Sequence, residues 1–230
     1  MTGDAPNPLV IAAVVLGVAA LAAWVFLAHR KQQRAQQERL DRLGFRPCPE
    51  EKGTLEALVN RLVNDKDHHY TVEQPRRLQG EPAIYYFVKR RDKSDSDDQG
   101  DAGEELLFRV RRRSNAGVAL AVKPSSIAPG IATRMLGALA TGPWTTQPDD
   151  LQRLELPADF KDTNLLGALG PPGSSLYDLV DARILSVVQG IGDVGGLTIR
   201  LRDEWCAVEA GHWQLPFRVD EIVARMRPLL

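Results

Sequence analysis

The chain has 230 residues and a formal net charge of −1, with 29 Lys and Arg against 30 Asp and Glu. A balance so close to neutral lacks the basic bias of a nucleic-acid binder, so no nucleic acid is expected among its partners. Only two cysteines occur, Cys48 and Cys206, which excludes a disulfide scaffold and agrees with a reducing compartment.

Residues 1–8 make a short start, expected outside the cytoplasm. Residues 9–28 then read LVIAAVVLGVAALAAWVFLA, without a single charge. As a helix rising ~1.5 Å per residue, such a run spans the ~30 Å hydrocarbon core of a bilayer. Lipid favours the helix because it satisfies its own backbone N–H and C=O groups. A cleaved secretory signal would carry a positive start and a shorter apolar segment; here Asp4 precedes the run and no Lys or Arg does. Arg30, Lys31, Arg34, Arg39 and Arg42 follow it. Positive flanks stay inside, which predicts a single span of an inner membrane, N-terminus out and main domain cytoplasmic. Ala13 with Gly17, and Ala19 with Ala23, place small residues four apart, a spacing that lets two such helices approach.

Residues 29–44 are rich in strong helix formers and predict a basic helical stalk that Gly44 stops. Arg30, Lys31 and Arg34 are its candidate contacts to membrane lipids, each worth ~1 kcal/mol near an anionic surface.

Residues 45–148 read as a first α+β lobe. Pro47, Cys48 and Pro49 form a stiff link. Thr54 looks like the N-cap of a helix carrying Leu55, Leu58, Val59 and Leu62. Residues 84–88 predict a strand. Leu106, Phe108 and Val110 alternate with Leu107, Arg109 and Arg111, which predicts a strand with one buried and one solvated face. Val118, Leu120 and Val122 continue an antiparallel β-meander. Between the first two strands, residues 92–105 read DKSDSDDQGDAGEE and predict a disordered acidic loop. Its Asp spacing and flanking strands do not fit an EF-hand. Arg111, Arg112 and Arg113 read as a balance to its charge. Pro129 opens a predicted helix with Ile131, Met135, Leu136 and Leu139.

Residues 149–230 read as a second α+β lobe. Leu154 and Leu156 flank Glu155 in a short strand, and a loop follows at residues 170–173. Ser175 and Asp178 resemble a capping box that opens one helix with Leu176, Leu179, Val180, Ile184, Val187 and Val188 inward. Leu197, Ile199 and Leu201 begin a hairpin that turns at Asp203 and Glu204. Val219, Ile222, Val223 and Met226 give a closing helix. Strands cluster and helices sit between the clusters, so the fold class is α+β, with one core or two lobes left open.

Residues 190–195 match G-x-G-x-x-G, yet a helix precedes them and a strand follows, the reverse of a dinucleotide site. Residues 170–175, GPPGSS, lack the Lys of a phosphate-binding loop. His68 and His69 are adjacent and diverge, so they are poorly placed to share a metal. Cys206 reads as a buried hydrophobe in a strand, and Cys48 as an exposed thiol that its Pro neighbours alone do not activate. No catalytic, cofactor or metal site is predicted.

The anchor and stalk ending in Leu43-Gly44-Phe45, the Tyr-rich strand at 84–88, the Leu154-Glu155-Leu156-Pro157 strand end and the final GLTIRLRDEWCAVE hairpin form a pattern. In it the chain resembles a loose class of bacterial single-pass membrane proteins with a cytoplasmic α+β domain of unassigned activity. The resemblance implies an anchor and a domain but transfers no site. The expected function is a membrane-tethered, non-enzymatic interaction or scaffold domain with a protein partner or self-association. The alternatives are a tethered enzyme, with Tyr85, Asp193 and His212 gathered from afar, and a small-ligand or lipid-headgroup sensor.

Overall fold

The computed structural model describes residues 24, 27, 30–31, 34–93, 102–125, 148–160, 163–210 and 217–230. The chain divides into two compact units, 1–44 and 45–230. In the first, residues 30–31 and 34–42 are helical, and Gly44 follows at φ 90°. No helix among the described residues is long and apolar enough to cross a membrane. The predicted span at 9–28 lies almost wholly outside those residues, as do the predicted helix after Pro129 and the heart of the acidic loop.

The second unit is α+β. Its elements are β1 (Phe45–Pro47), α1 (Lys52–Val63), β2 (His68–Leu78), β3 (Ala83–Asp92), β4 (Ala102–Arg109), β5 (Val118–Val122) and β6 (Gln152–Arg153). They continue with β7 (Leu165–Gly170), α2 (Leu176–Leu179), α3 (Ala182–Ile191), β8 (Leu197–Arg202), β9 (Trp205–Ala210) and α4 (Val219–Met226). The described strands make one nine-stranded sheet, ordered β1-β2-β3-β4-β9-β8-β5-β7-β6. Every neighbouring pair is antiparallel.

The meander runs from β1 to β4 and then stops. The β8–β9 hairpin, turning at Asp203 and Glu204 as expected, inserts between β4 and β5. Strands from residues 45–148 and 149–230 therefore interleave in a single sheet, where the sequence left two lobes open. The expected one-sided burial also gives way. Leu106, Leu107 and Phe108 are all fully buried, as are all five residues of β5. The cause is that both sheet faces are covered, so alternation loses its meaning in the central strands. Leu55, Val59, Leu62 and Val63 of α1 cluster with Tyr70, Val72, Ile84, Tyr86, Val88, Leu107 and Ala207 on one face. Leu106, Phe108, Val208 and Ile199 point the other way in the alternation and are equally buried, with α3 packed on β5 and on α4.

Two helices start differently from expectation. A 3-10 turn, Pro49–Glu51, leads into α1, so Thr54 lies inside the helix and not at its cap. Val180, extended at φ −131°, splits the single helix expected after Ser175, and Asp181 caps α3 by accepting the Ile184 N–H at 3.0 Å.

β2 was hidden in the sequence by Pro75 and its charges. A bulge accommodates them: the register shifts between Glu73 and Arg76, and Gln74 adopts φ 50°. β1 pairs only with residues 76–78 of β2. Farther along that strand, α1 takes over. Asn60 donates to the Tyr70 carbonyl at 2.7 Å and accepts the Tyr70 N–H at 2.9 Å, while Glu56 accepts the Val72 N–H at 3.0 Å.

Candidate functional site

The deepest polar feature lies on the sheet face beneath α1. Glu105, expected in a loop, is in β4 and only 2% exposed, because the strand begins at Ala102. The Tyr86 hydroxyl donates to its Oε2 at 2.7 Å, and Arg200 Nη1 donates to its Oε1 at 3.2 Å. Arg200 Nη2 reaches Glu209 at 2.7 Å. Burial pushes the Glu105 carboxyl above its ordinary value, opposed by the Arg200 charge. Burial likewise works against the Arg200 charge, but Glu209 and Glu105 more than compensate and hold the guanidinium protonated. Every group in this chain is paired within the protein, which suits a structural role.

A second cluster explains the glycine-rich connection after α3. Asn164 donates to Ser125 Oγ at 2.7 Å and to the Gln189 carbonyl at 3.2 Å; Ser125 in turn donates to Asp193 at 2.7 Å. Asn164 lies directly over Gly192, where a Cβ would sit 2.7 Å from its Cβ and Cγ. The G-x-G-x-x-G run thus makes room for an amide clasp between a helix and a strand.

The open candidate site is a cleft of about 600 Å³ lined by residues 111–113 and 177–183. Three of its arginines, Arg111, Arg112 and Arg113, follow β4; Arg183 comes from the first turn of α3. Arg111, Arg113 and Arg183 are exposed. The Arg111 and Arg113 guanidinium groups make no ion pair among the described residues. Arg112 is anchored: its Nη2 donates to the carbonyls of Ala116 at 2.9 Å and Leu179 at 3.2 Å. Its Nε and Nη1 are buried without a hydrogen-bond partner, and burial lowers its pKa. Arg183 donates to the Arg111 carbonyl at 3.1 Å, which ties the two walls together.

Two carboxylates share the cleft, and both are committed to local structure. Asp178 accepts the Ser175 hydroxyl at 2.6 Å and the Ser175 N–H at 3.2 Å, bonds that hold its pKa below the ordinary carboxylate value. Asp181 caps α3. The exposed Tyr177 turns its hydroxyl to Asp159 at 3.2 Å. Four guanidinium groups thus face two occupied carboxylates. The seven steps of β4 from Ala102 to Arg109 cover about 23 Å at ~3.3 Å per residue, so the arginines follow the end of β4 opposite Ala102.

The residues singled out in the sequence fall elsewhere. Arg30, Lys31 and Arg34 lie on the helical stretch of the first unit, all exposed, and line with Leu27, Ala35 and Glu38 a shallow concavity of about 380 Å³. Tyr85 is fully buried in edge contacts with Phe45 and Phe87. Asp193 belongs to the amide clasp, and His212 lies outside the described residues. His68 Nδ1 sits 2.8 Å from Asp65, and no group of metal-ligating side chains forms among the described residues. Both thiols are buried, Cys48 against expectation because it packs into the core cluster of α1; burial pushes Cys48 up to about 11 and Cys206 up to about 12.

No protein-family model matches the chain, and no curated protein or solved structure is significantly similar to it.

Proposed function

We propose that this protein is a membrane-tethered, non-enzymatic interaction domain at the cytoplasmic face of a bacterial inner membrane, and that the arginine-lined cleft is its recognition surface. The uncharged run at 9–28 and the basic residues after it support the tether. The observation that carries the recognition reading is the chemistry of the cleft. Its cations are guanidinium groups, which keep their protons and offer only donors. Its carboxylates are spent on Ser175 and on the start of α3. Such a set binds and orients an anionic partner; it does not shuttle protons or attack a bond.

Crosslinking in native membranes, followed by affinity purification and mass spectrometry, tests this reading. The full chain should retain a stoichiometric partner that is lost both on deleting residues 1–28 and in the R111E/R113E variant. Recovery of the protein alone, or a partner indifferent to the cleft charges, overturns it.

A further inference from the structure

We infer that the cleft binds a phosphoryl group, carried by a lipid headgroup or by a soluble phosphate compound. The inference rests on the cleft being a recognition surface and adds the chemistry of what it recognises.

Three features converge on one small, multiply charged anion. The first is donor geometry. Arg111 and Arg113 rise from one short stretch on either side of the anchored Arg112, and Arg183 approaches from α3. A carboxylate has two oxygens and is satisfied by one guanidinium fork. A tetrahedral phosphate presents oxygens in several directions and can engage forks from separate walls.

The second feature is the start of α3, a ten-residue helix whose first residues, Ala182 and Arg183, line the cleft. Asp181 takes up the Ile184 N–H, which leaves the N–H groups of the first turn, at Ala182 and Arg183, without a partner inside the helix. These two N–H groups are further donors on the cleft wall, beside the Asp181 carboxylate that already offsets the positive helix end.

The third is charge economy. Ser175 holds Asp178 by two hydrogen bonds and Asp181 caps α3, so neither acid is spent on a cleft arginine. Both keep their charge, and four arginines against two carboxylates leave the lining net positive. Arg112 forms the fixed part of the wall: two backbone carbonyls hold one end of its guanidinium while Nε and Nη1 remain unsatisfied. The partly buried Arg112 thus fixes one wall, beside two exposed arginines without ion pairs among the described residues.

The test uses the full chain, first in zwitterionic detergent. Inorganic phosphate should protect Arg111, Arg113 and Arg183 from a dicarbonyl reagent, mapped by peptide mass spectrometry. Titration calorimetry should show phosphate binding weakened roughly tenfold or more in R111Q/R113Q, whose two exposed positions leave the core untouched. Nanodiscs then separate the sources. Protection in discs containing phosphatidic acid, a phosphomonoester, without added phosphate, and not in phosphatidylcholine discs, assigns the group to a lipid headgroup. Protection only on adding phosphate assigns it to a soluble compound. Absence of protection in every arm overturns the inference, as does equal protection by chloride at matched ionic strength. Stronger protection by citrate or by a glutamate-rich peptide overturns the phosphoryl assignment yet leaves the interaction reading standing. Recovery of the protein alone on crosslinking, with phosphate binding intact, would do the reverse.

Discussion

Arg200 of β8 donates to Glu105 of β4 at 3.2 Å although the whole of β9 lies between the two strands. The reach is possible because the residue of β9 paired with Arg200 is Ala207, whose methyl leaves the guanidinium a path across the sheet. Removing Arg200 strands a buried carboxylate, so R200M should cost about 3–5 kcal/mol in urea unfolding of the detergent-solubilised chain. The E105Q/R200M double variant, which keeps an acceptor for Tyr86, should be markedly more stable than R200M. Strict additivity of the two single changes would show that the pair is not coupled.

Acid should weaken the fold through three carboxylates. Burial pushes Asp65 up, but the Asp67 N–H, His68 and Tyr70 outweigh it and hold the group low. Asp150 follows the same balance with Asn64 and Arg202, and Glu51 is lowered chiefly by the Arg77 fork. Each binds its proton less readily folded than unfolded. Their stabilisation is therefore complete above the unfolded values, ~3.9 for Asp and ~4.3 for Glu, and is lost as pH falls through the folded ones. Urea midpoints between pH 7 and pH 3 should fall steeply in the parent and less steeply in D65N/D150N. Glu105, raised by burial, contributes the opposite sign in both proteins and cancels from the comparison.

Glycine substitutions should split in sign. At Gly170 a Cβ would meet Leu179 Cδ1 at 2.6 Å and Leu154 Cδ1 at 2.8 Å, so G170A should destabilise by about 1–3 kcal/mol. Gly53 sits within α1 with nothing within 4 Å of an added Cβ, so G53A should stabilise by about 0.5–1 kcal/mol. Thermal unfolding of the two variants side by side reads both signs.

Neither thiol should behave as a nucleophile. With Cys48 up at about 11 and Cys206 at about 12, the thiolate fraction near neutrality is small and access is closed. Iodoacetamide at pH 7.5 should leave both intact in the folded chain and modify both in urea. Rapid labelling of Cys48 without denaturant would contradict its placement in the core cluster with Leu55, Val59 and Leu62.

How far the sequence could be read depended on what each signal measures. Periodicity exposed α1, the hydrophobic run of α3, the β8–β9 hairpin and α4, because each has one polar side or a distinct turn. It failed at β7, where Gly167 and Gly170 dilute a strand whose tight packing demands small residues. It failed at Leu106, Leu107 and Phe108, because a two-sided burial writes an unbroken apolar run. The candidate site was half visible. Arg111, Arg112 and Arg113 stand together in the chain, but their meaning depends on Arg183, 70 residues on, and on aspartates whose capping duties only the fold assigns.

The hold of α1 on β2 has a consequence under the membrane tether proposed above. Copies held by such a tether would share a thin layer and meet side by side far more often than in bulk. A bare strand flank under such crowding is a template onto which the next copy can zip. Asn60 and Glu56 occupy the main-chain groups of Tyr70 and Val72 with side chains, which offer a newcomer no ladder to extend. Along that flank, N60A should favour sheet-mediated self-association of the chain, read by sedimentation, while leaving the cleft untouched.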